Sequence, residues 1–338
     1  MNVSRKFTTP VLMCSLASAL CAQTSVTMKA VSAANAFLGT LDAKQKQTVL
    51  FSYDDDKQRA KWSNLPVRMT PRGGIATGDM TPAQRSAAMV LLASVLSKRG
   101  FEKVQQIVEA DETLKRNENN NSMFGKDLYY FSILGTPSPK DPWMLQFGGH
   151  HLALNITIAG DRGVLTPSLT GAQPSAYTVS GKTVRPLGQE SDKGLALLNA
   201  LDETQKKQAI LGFQLADLVL GPGKDGKTIQ PEGLKAAAMN EKQRAMLLDV
   251  IAEWSGIIHE GAASARMAEL KADLDETWFA WSGPVTVAAS ANIAAYYRIQ
   301  GPHVIIEYAP QRMGNGDASL HIHAMYRDPT NDYGKKFK

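Results

Sequence analysis

A helix-start signature that recurs four times constrains this chain of 338 residues more than any other feature. It reads "LDAKQKQTVL" from Leu41, "MTPAQRSAAM" from Met80, "LDETQKKQAI" from Leu201 and "MNEKQRAMLL" from Met239. Each copy has an apolar residue, then Asp, Thr or Asn as a side-chain acceptor for the free amides of a first helical turn, then Gln with Lys or Arg, then helical apolar spacing. Pro82 fits a first helical position, where its missing N–H costs nothing. Capping signals are common singly, so the spacing carries the information. Leu41 and Met80 stand 39 residues apart, Leu201 and Met239 stand 38 apart, and Leu41 and Leu201 stand 160 apart. Two spacings kept at once predict an internally duplicated chain.

The offset persists beyond the helices. "PRGGI" at Pro71 precedes the second signature as "PEGL" at Pro231 precedes the fourth, and "YYFSILGTP" from Tyr129 matches "TWFAWSGP" from Thr277. "FGGHHLALNI" from Phe147 lies over "IQGPHVIIEY" from Ile299, so that Gly149 meets Gly301, His151 meets His303 and Asn155 meets Glu307. "TPSLTGAQP" ends at Pro174 where "HIHAMYRDP" ends at Pro329. Helical apolar spacing covers residues near 25–50, 81–116, 189–220 and 240–275, while "HLALNITIAG" and "HVIIEYAP" alternate or run apolar as strands do. "GDRG" and "GNGD" then read as turns from which "VLTPSLTG" and "LHIHAMYR" return antiparallel. The expectation is an α+β fold, internally duplicated, with helices packed on a mainly antiparallel sheet. Its two pseudo-repeats span 23–188 and 189–338.

The first 22 residues read as a leader. Arg5 and Lys6 precede the apolar, small-residue stretch "FTTPVLMCSLASALCA", which ends at Ala22 before a polar segment. That is a charged region, an apolar region and a small-residue cleavage point, and it predicts export to a periplasmic or extracellular location. Cleavage would lower the formal charge from +5 to +3 and remove Cys14 and Cys21, the only two cysteines. Neither a disulfide nor a thiol nucleophile would then remain. No later apolar run approaches the roughly 20 residues of a membrane span. The positive charge is spread without a Lys/Arg block or an aromatic ladder, which argues against nucleic acid as a partner.

The chemistry concentrates near the end, in "LHIHAMYRDPTNDYG" at 320–334. On a strand, side chains two apart face the same way, so His321 and His323 project together. Of His150 and His151, placed at a strand start, one would share that face, and the register with His303 favours His151. Three imidazoles with an open position suit zinc, copper or iron. Glu307, Asp328 and Asp332 are the carboxylates available to complete or orient such a site. Arg327 either grips an anionic group or pins the C-terminal turn through Asp328 or Asp332. His259 reads as a capping or solvent histidine, and "GPGKDGK" from Gly221 lacks the spacing of a phosphate loop. No G-x-S-x-G elbow is present.

The stretches "GHHLALN", "YYRIQGPHVIIEYAPQ" and "HIHAMYRDPTNDYG" resemble an exported bacterial and fungal family known only as a domain of unknown function, number 3500. The resemblance covers most of the chain after the leader and implies one contiguous module with no transferable activity. Its distinctive residues fall at His150, His151, Asn155, His321, His323, Arg327, Asp328, Asp332 and Tyr333. Two functions are compatible with these residues. One is a metal-dependent enzyme in which His151, His321 and His323 hold the ion, Glu307, Arg327 and Asp328 act in catalysis, and His150, Asn155, Asp332 and Tyr333 contact substrate. The other is a non-catalytic module that presents a polar cleft to a small molecule or polymer.

Overall fold

The structure is a computed structural model that describes residues 12–288, 291–312, 317 and 320–337, with side chains from residue 26 onward. The charged part of the predicted leader, with Arg5 and Lys6, lies outside the described residues, as do 314–316 of the second turn signal. The helices are α1 (Leu12–Gly39), α2 (Ala43–Val49), α3 (Asp56–Arg59), α4 (Pro82–Val95), α5 (Lys98–Asn117), α6 (Gly188–Ala200), α7 (Glu203–Ala209), α8 (Glu241–Ser255) and α9 (Glu260–Ala272). The strands of the first half are β1 (Leu50–Phe51), β2 (Ile75–Ala76), β3 (Tyr130–Leu134), β4 (Trp143–Gly149), β5 (Leu152–Ala159), β6 (Arg162–Val164), β7 (Ser168–Ala172), β8 (Tyr177–Val179) and β9 (Lys182–Val184). Those of the second are β10 (Leu234–Lys235), β11 (Trp278–Ser282), β12 (Tyr296–Gln300), β13 (Ile305–Pro310) and β14 (Ile322–Arg327).

The four signatures start α2, α4, α7 and α8, and the recurring glutamine has a double use. Asp42, Thr81, Asp202 and Asn240 each cap their helix in a reciprocal box with Gln45, Gln84, Gln205 and Gln243. The same glutamines then join helices: Gln84 donates to Gln45 at 2.8 Å and to the carbonyl of Thr40, while Gln243 donates to Gln205 at 2.7 Å and to the carbonyl of Ala200. Helical spacing overran the helices in all four segments: 81–116 divides at Leu96 and Ser97, between α4 and α5, and 240–275 divides at 256–259, between α8 and α9. The 25–50 segment divides at Thr40, where α1 ends before the Asp42 cap. The 189–220 segment stops being helical at Ala209, because Ile210 forms a parallel bridge with Trp281 and Leu220 is buried beyond it.

Strands from both halves merge into one mostly antiparallel sheet, in the order β1-β3-β4-β5-β7-β14-β13-β12-β11-β10. The β1–β3 pair is parallel. The central ladder joins β7 to β14, with Thr170 opposite Ala324 and Leu169 opposite Met325. On either side of it, Gln146 faces Asn155 between β4 and β5, and Arg298 faces Glu307 between β12 and β13. After Gly160 the chain doubles back along β5, first as β6 against residues 157–159 and then, in the same direction, as β7 against residues 152–154.

Alternation sorts the side chains of each strand onto two faces. Leu152, Leu154, Ile156 and Ile158 of β5, Ile306 and Tyr308 of β13, and Ile322, Ala324 and Tyr326 of β14 join the main core, which includes residues of α1, α4, α5, α6, α8 and α9. The opposite face is more polar and is covered by two loops, 52–74 and 211–233. Gln58 of the first loop reaches Ser132 and Gln146, and Trp62 packs with Ala153, Leu169 and Met325. From the second loop, the amides of Val219 and Leu220 donate to Glu307. Among the described residues no helix is long and apolar enough to cross a membrane.

Candidate metal centre

The centre lies on the loop-covered face at the middle of the sheet. Ile322 points into the main core, so its neighbours His321 and His323 project to the other side, as period-two geometry requires. His323 sits opposite Gly171 of β7. His150 and His151 do not begin a strand: they form the two-residue turn between β4 and β5, and His151 has the left-handed φ of 58°. That conformation turns the His151 ring toward the histidines of β14. Gly171 leaves room for it, since a Cβ there would lie 3.2 Å from the His151 ring and 2.6 Å from the carbonyl of Ile322.

Three ring nitrogens converge as a result. Nε2 of His151 is 2.7 Å from Nε2 of His321, which is 3.1 Å from Nε2 of His323. All three side chains are buried, at 2%, 6% and 2% exposure. Burial pushes the His151 imidazole well below the usual histidine range, with His150, His323 and His321 adding to the effect. Burial likewise brings His321 down to about 3, helped by His323 and His150. Nδ1 of His321 is buried and has no hydrogen-bond partner among the described residues. On His323, Nδ1 meets Oδ1 of Asp217 at 2.9 Å, which makes Nδ1 the donor and, in the neutral ring that a metal would bind, leaves the lone pair on Nε2. Burial raises the Asp217 carboxyl, but its contacts with His323 and the amide of Leu218 outweigh that and hold it low.

This donor set suits a cation. Burial disfavours imidazolium here, and in the neutral rings a single N–H at Nε2 of His321 can bridge to only one of its two Nε2 neighbours, so a metal ion is what can satisfy all three nitrogens at once. Zinc bonds of about 2.0–2.1 Å at tetrahedral angles would set ligand nitrogens roughly 3.3 Å apart, so the rings, at 2.7 Å and 3.1 Å, would spread by a few tenths of an ångström to take the ion. His151, His321 and His323 are the one group of possible metal ligands among the described residues. A carboxylate on the far nitrogen of a ligand histidine, as Asp217 is on His323, fixes the ring and raises its basicity.

The other residues singled out from the sequence occupy four different settings. His150 stacks on His151 with ring centroids 3.7 Å apart, and its Nδ1 meets Asp111 at 2.6 Å. Asn155 bonds to Gln146 and to the carbonyl of Pro167, at the Gln58 cluster rather than at the histidines. Glu307 is fully buried and accepts from the amides of Val219 and Leu220 and from the hydroxyl of Tyr296. The fourth setting holds the C-terminal motif. Arg327 donates to the carbonyls of Leu220 and Gly221 and to Asp225 and Asp332, and so has its donors engaged within the protein. Asp328 pairs with Arg266 at 2.9 Å, and Asp332 accepts from the amide of Asp328. Burial pushes the Asp332 carboxyl up to about 6 despite Arg327 beside it. Tyr333 accepts from Trp62 and donates to Asp225, so it links the two covering loops.

Asp217, Asn64 and Asp111 were not singled out from the sequence, although each touches a histidine of this region. Asp217 lay within a stretch with helical spacing, and Asn64 in a segment without periodicity, so no local pattern marked either.

A family model described as "Protein of unknown function (DUF3500)" matches residues 23–335. The chain belongs to that family. The match spans both halves, and therefore all three histidines of the centre, in this DUF3500 member. No curated protein and no solved structure matches the chain.

Proposed function

We propose that this protein is an exported metal-dependent enzyme whose ion is held by His151, His321 and His323. The observation that carries the reading is the convergence of three buried Nε2 atoms, with Asp217 bound to the far nitrogen of one ligand. Three nitrogen donors without a thiolate or a directly bound carboxylate match a catalytic zinc set, in which a fourth position stays open. Such an ion would supply an activated water at neutral pH. Asp217 would orient His323, and His150, held by Asp111, would brace His151 by stacking. Arg327, Asp332 and Tyr333 would serve as a clasp that fixes the covering loops, because their polar atoms are already engaged. Glu307 would anchor the second loop, and Asp328 the C-terminal turn.

Export is supported by Arg5 and Lys6 ahead of an apolar stretch that ends at Ala22, and the family match begins just beyond, at residue 23. Internal duplication is also part of the proposal. Its support is the agreement between the sequence register and the ladders: an offset of 152 carries the pair Gln146 and Asn155 onto Arg298 and Glu307. An offset of 155 carries Leu169 and Thr170 onto Ala324 and Met325, the residues they face across the central ladder. The centre would then lie near a pseudo-twofold axis, with His321 and His323 where the first half has Thr166 and Ser168.

Elemental analysis tests the metal. The protein is purified without chelator or histidine tag, beside a variant carrying His321→Ala and His323→Ala. The expected result is near-stoichiometric zinc in the wild type and loss of it in a folded variant. Copper or iron instead would move the reaction class to oxidation. A wild type that stays metal-free after exposure to each ion would overturn the reading in favour of a hydrogen-bonded ligand cleft.

A further inference from the structure

We infer that Asn64 receives the fourth ligand of the histidine centre, and that this ligand is a small oxygen-donor anion of the carboxylate class. The inference rests on the metal reading above. Asn64 lies in the 52–74 loop and touches the centre twice. Its backbone carbonyl accepts from the amide of His151 at 3.3 Å, and its side-chain nitrogen lies 3.4 Å from Nε2 of His323. That Nε2 also faces His321, so the amide stands where the ring nitrogens converge. With Nδ1 of His323 donating to Asp217, Nε2 of the neutral ring is the acceptor and the side-chain nitrogen of Asn64 the donor. An ion on Nε2 takes up that lone pair. The amide N–H, which has no other acceptor among the described residues, then needs one on whatever else the ion binds.

Asn64 is held as such a donor should be. One guanidinium, that of Arg72, donates to the carbonyls on both sides of it, Ser63 at 2.8 Å and Leu65 at 2.7 Å. The same nitrogen donates at 3.0 Å to the carbonyl of Gly149, immediately before the turn that carries His151. Burial lowers the Arg72 guanidinium to about 10, which leaves it a cation at neutral pH. The amide of Leu65 donates to the hydroxyl of Ser63, and Trp62 is tied to Tyr333. Asn64 itself is only partly buried, whereas its neighbours Trp62 and Ser63 are buried. A fixed amide donor beside a cation matches an arrangement that recognises developing or resident negative charge on oxygen.

Charge points to the ligand class. Neutral imidazole ligands place no negative charge directly on a divalent ion; Asp217 and Asp111 reach the centre only through the far nitrogen of His323 and through His150, so a directly bound anion is still favoured at the open position. A carboxylate has one oxygen for the ion and a second for the amide of Asn64.

Cobalt-loaded protein tests this, with acetate as the probe and the visible band of the metal as the signal. Wild type, Asn64→Ala and Asn64→Ser are loaded and titrated. Equal cobalt content is expected in all three, with acetate affinity at least about tenfold weaker in Asn64→Ala, the loss expected for one hydrogen bond to a charged group. The serine variant keeps the backbone contacts of the turn and should also be weakened. Equal acetate affinity in wild type and both variants, or a cobalt band in the wild type that acetate does not change, would overturn the inference. Loss of cobalt from both variants would make Asn64 a support for the ligand rings and overturn it too. A wild type that takes up no cobalt would sink the metal reading itself and this inference with it, an outcome distinct from the others.

Discussion

Single side chains in this protein are set by what surrounds them more than by their own type. His259 and His321 are both buried histidines with lowered affinity for a proton, yet one caps a helix and the other faces two imidazoles. Nδ1 of His259 accepts from the amide of Ala262 at the start of α9, which only the neutral ring can do. Burial lowers its folded pKa below 6.5, against a smaller raising effect of Glu260. The unfolded chain therefore binds the proton more readily. The stability this gives is fully present above about pH 6.5 and is lost as pH falls from there through the lowered folded value. His259→Asn keeps an N-cap acceptor that does not titrate. We expect denaturation midpoints measured from pH 7.5 to 5 to fall less steeply in that variant; parallel slopes would show that His259 does not contribute. His321 and His323 were legible as a pair because strand geometry is local. The carboxylate of Asp217, 106 residues from His323, was not.

Among the elements, the helix starts were the most legible, because a capping box is written within four residues. What the sequence did not disclose is that each capping glutamine also joins one helix start to another. Asp202→Ala removes a cap acceptor and is expected to lower stability by about 1 kcal/mol. Gln243→Ala loses its bonds to the amide of Asn240, to Gln205 and to the carbonyl of Ala200, and should cost more. Chemical denaturation of the two variants checks the order, and an Asp202→Ala variant of wild-type stability would show that Gln205 alone suffices. The turn at His150 and His151 was misplaced onto a strand for a physical reason. A left-handed φ at a histidine is uncommon and has no local signature.

For the whole molecule, the continuous sheet decides how the two halves relate. β7 of the first half pairs with β14 of the second along five residue pairs, so a first half alone would leave β7 as an open edge strand. Trp62 and Asp225, from loops of different halves, are joined through Tyr333. We expect the chain to unfold in one transition that circular dichroism and tryptophan fluorescence report alike. Residues 23–188 expressed alone should be insoluble or associate unless 189–338 is supplied with them. A monomeric, cooperatively folded 23–188 segment would refute this.

Pattern alone determined the family resemblance, the helix starts, the alternating strands and the pairing of His321 with His323, because capping boxes and two-residue periodicity act between near neighbours in the chain. The tertiary structure decided that both halves share one sheet, that the third nitrogen comes from a turn 170 residues before His321, and that Arg327 is engaged by Asp225 and Asp332. It also brought Asn64 and Asp217 to His323 from opposite halves. Those contacts depend on how the loops close over the far face of the sheet, and the packing that closes them has no period for a sequence to carry.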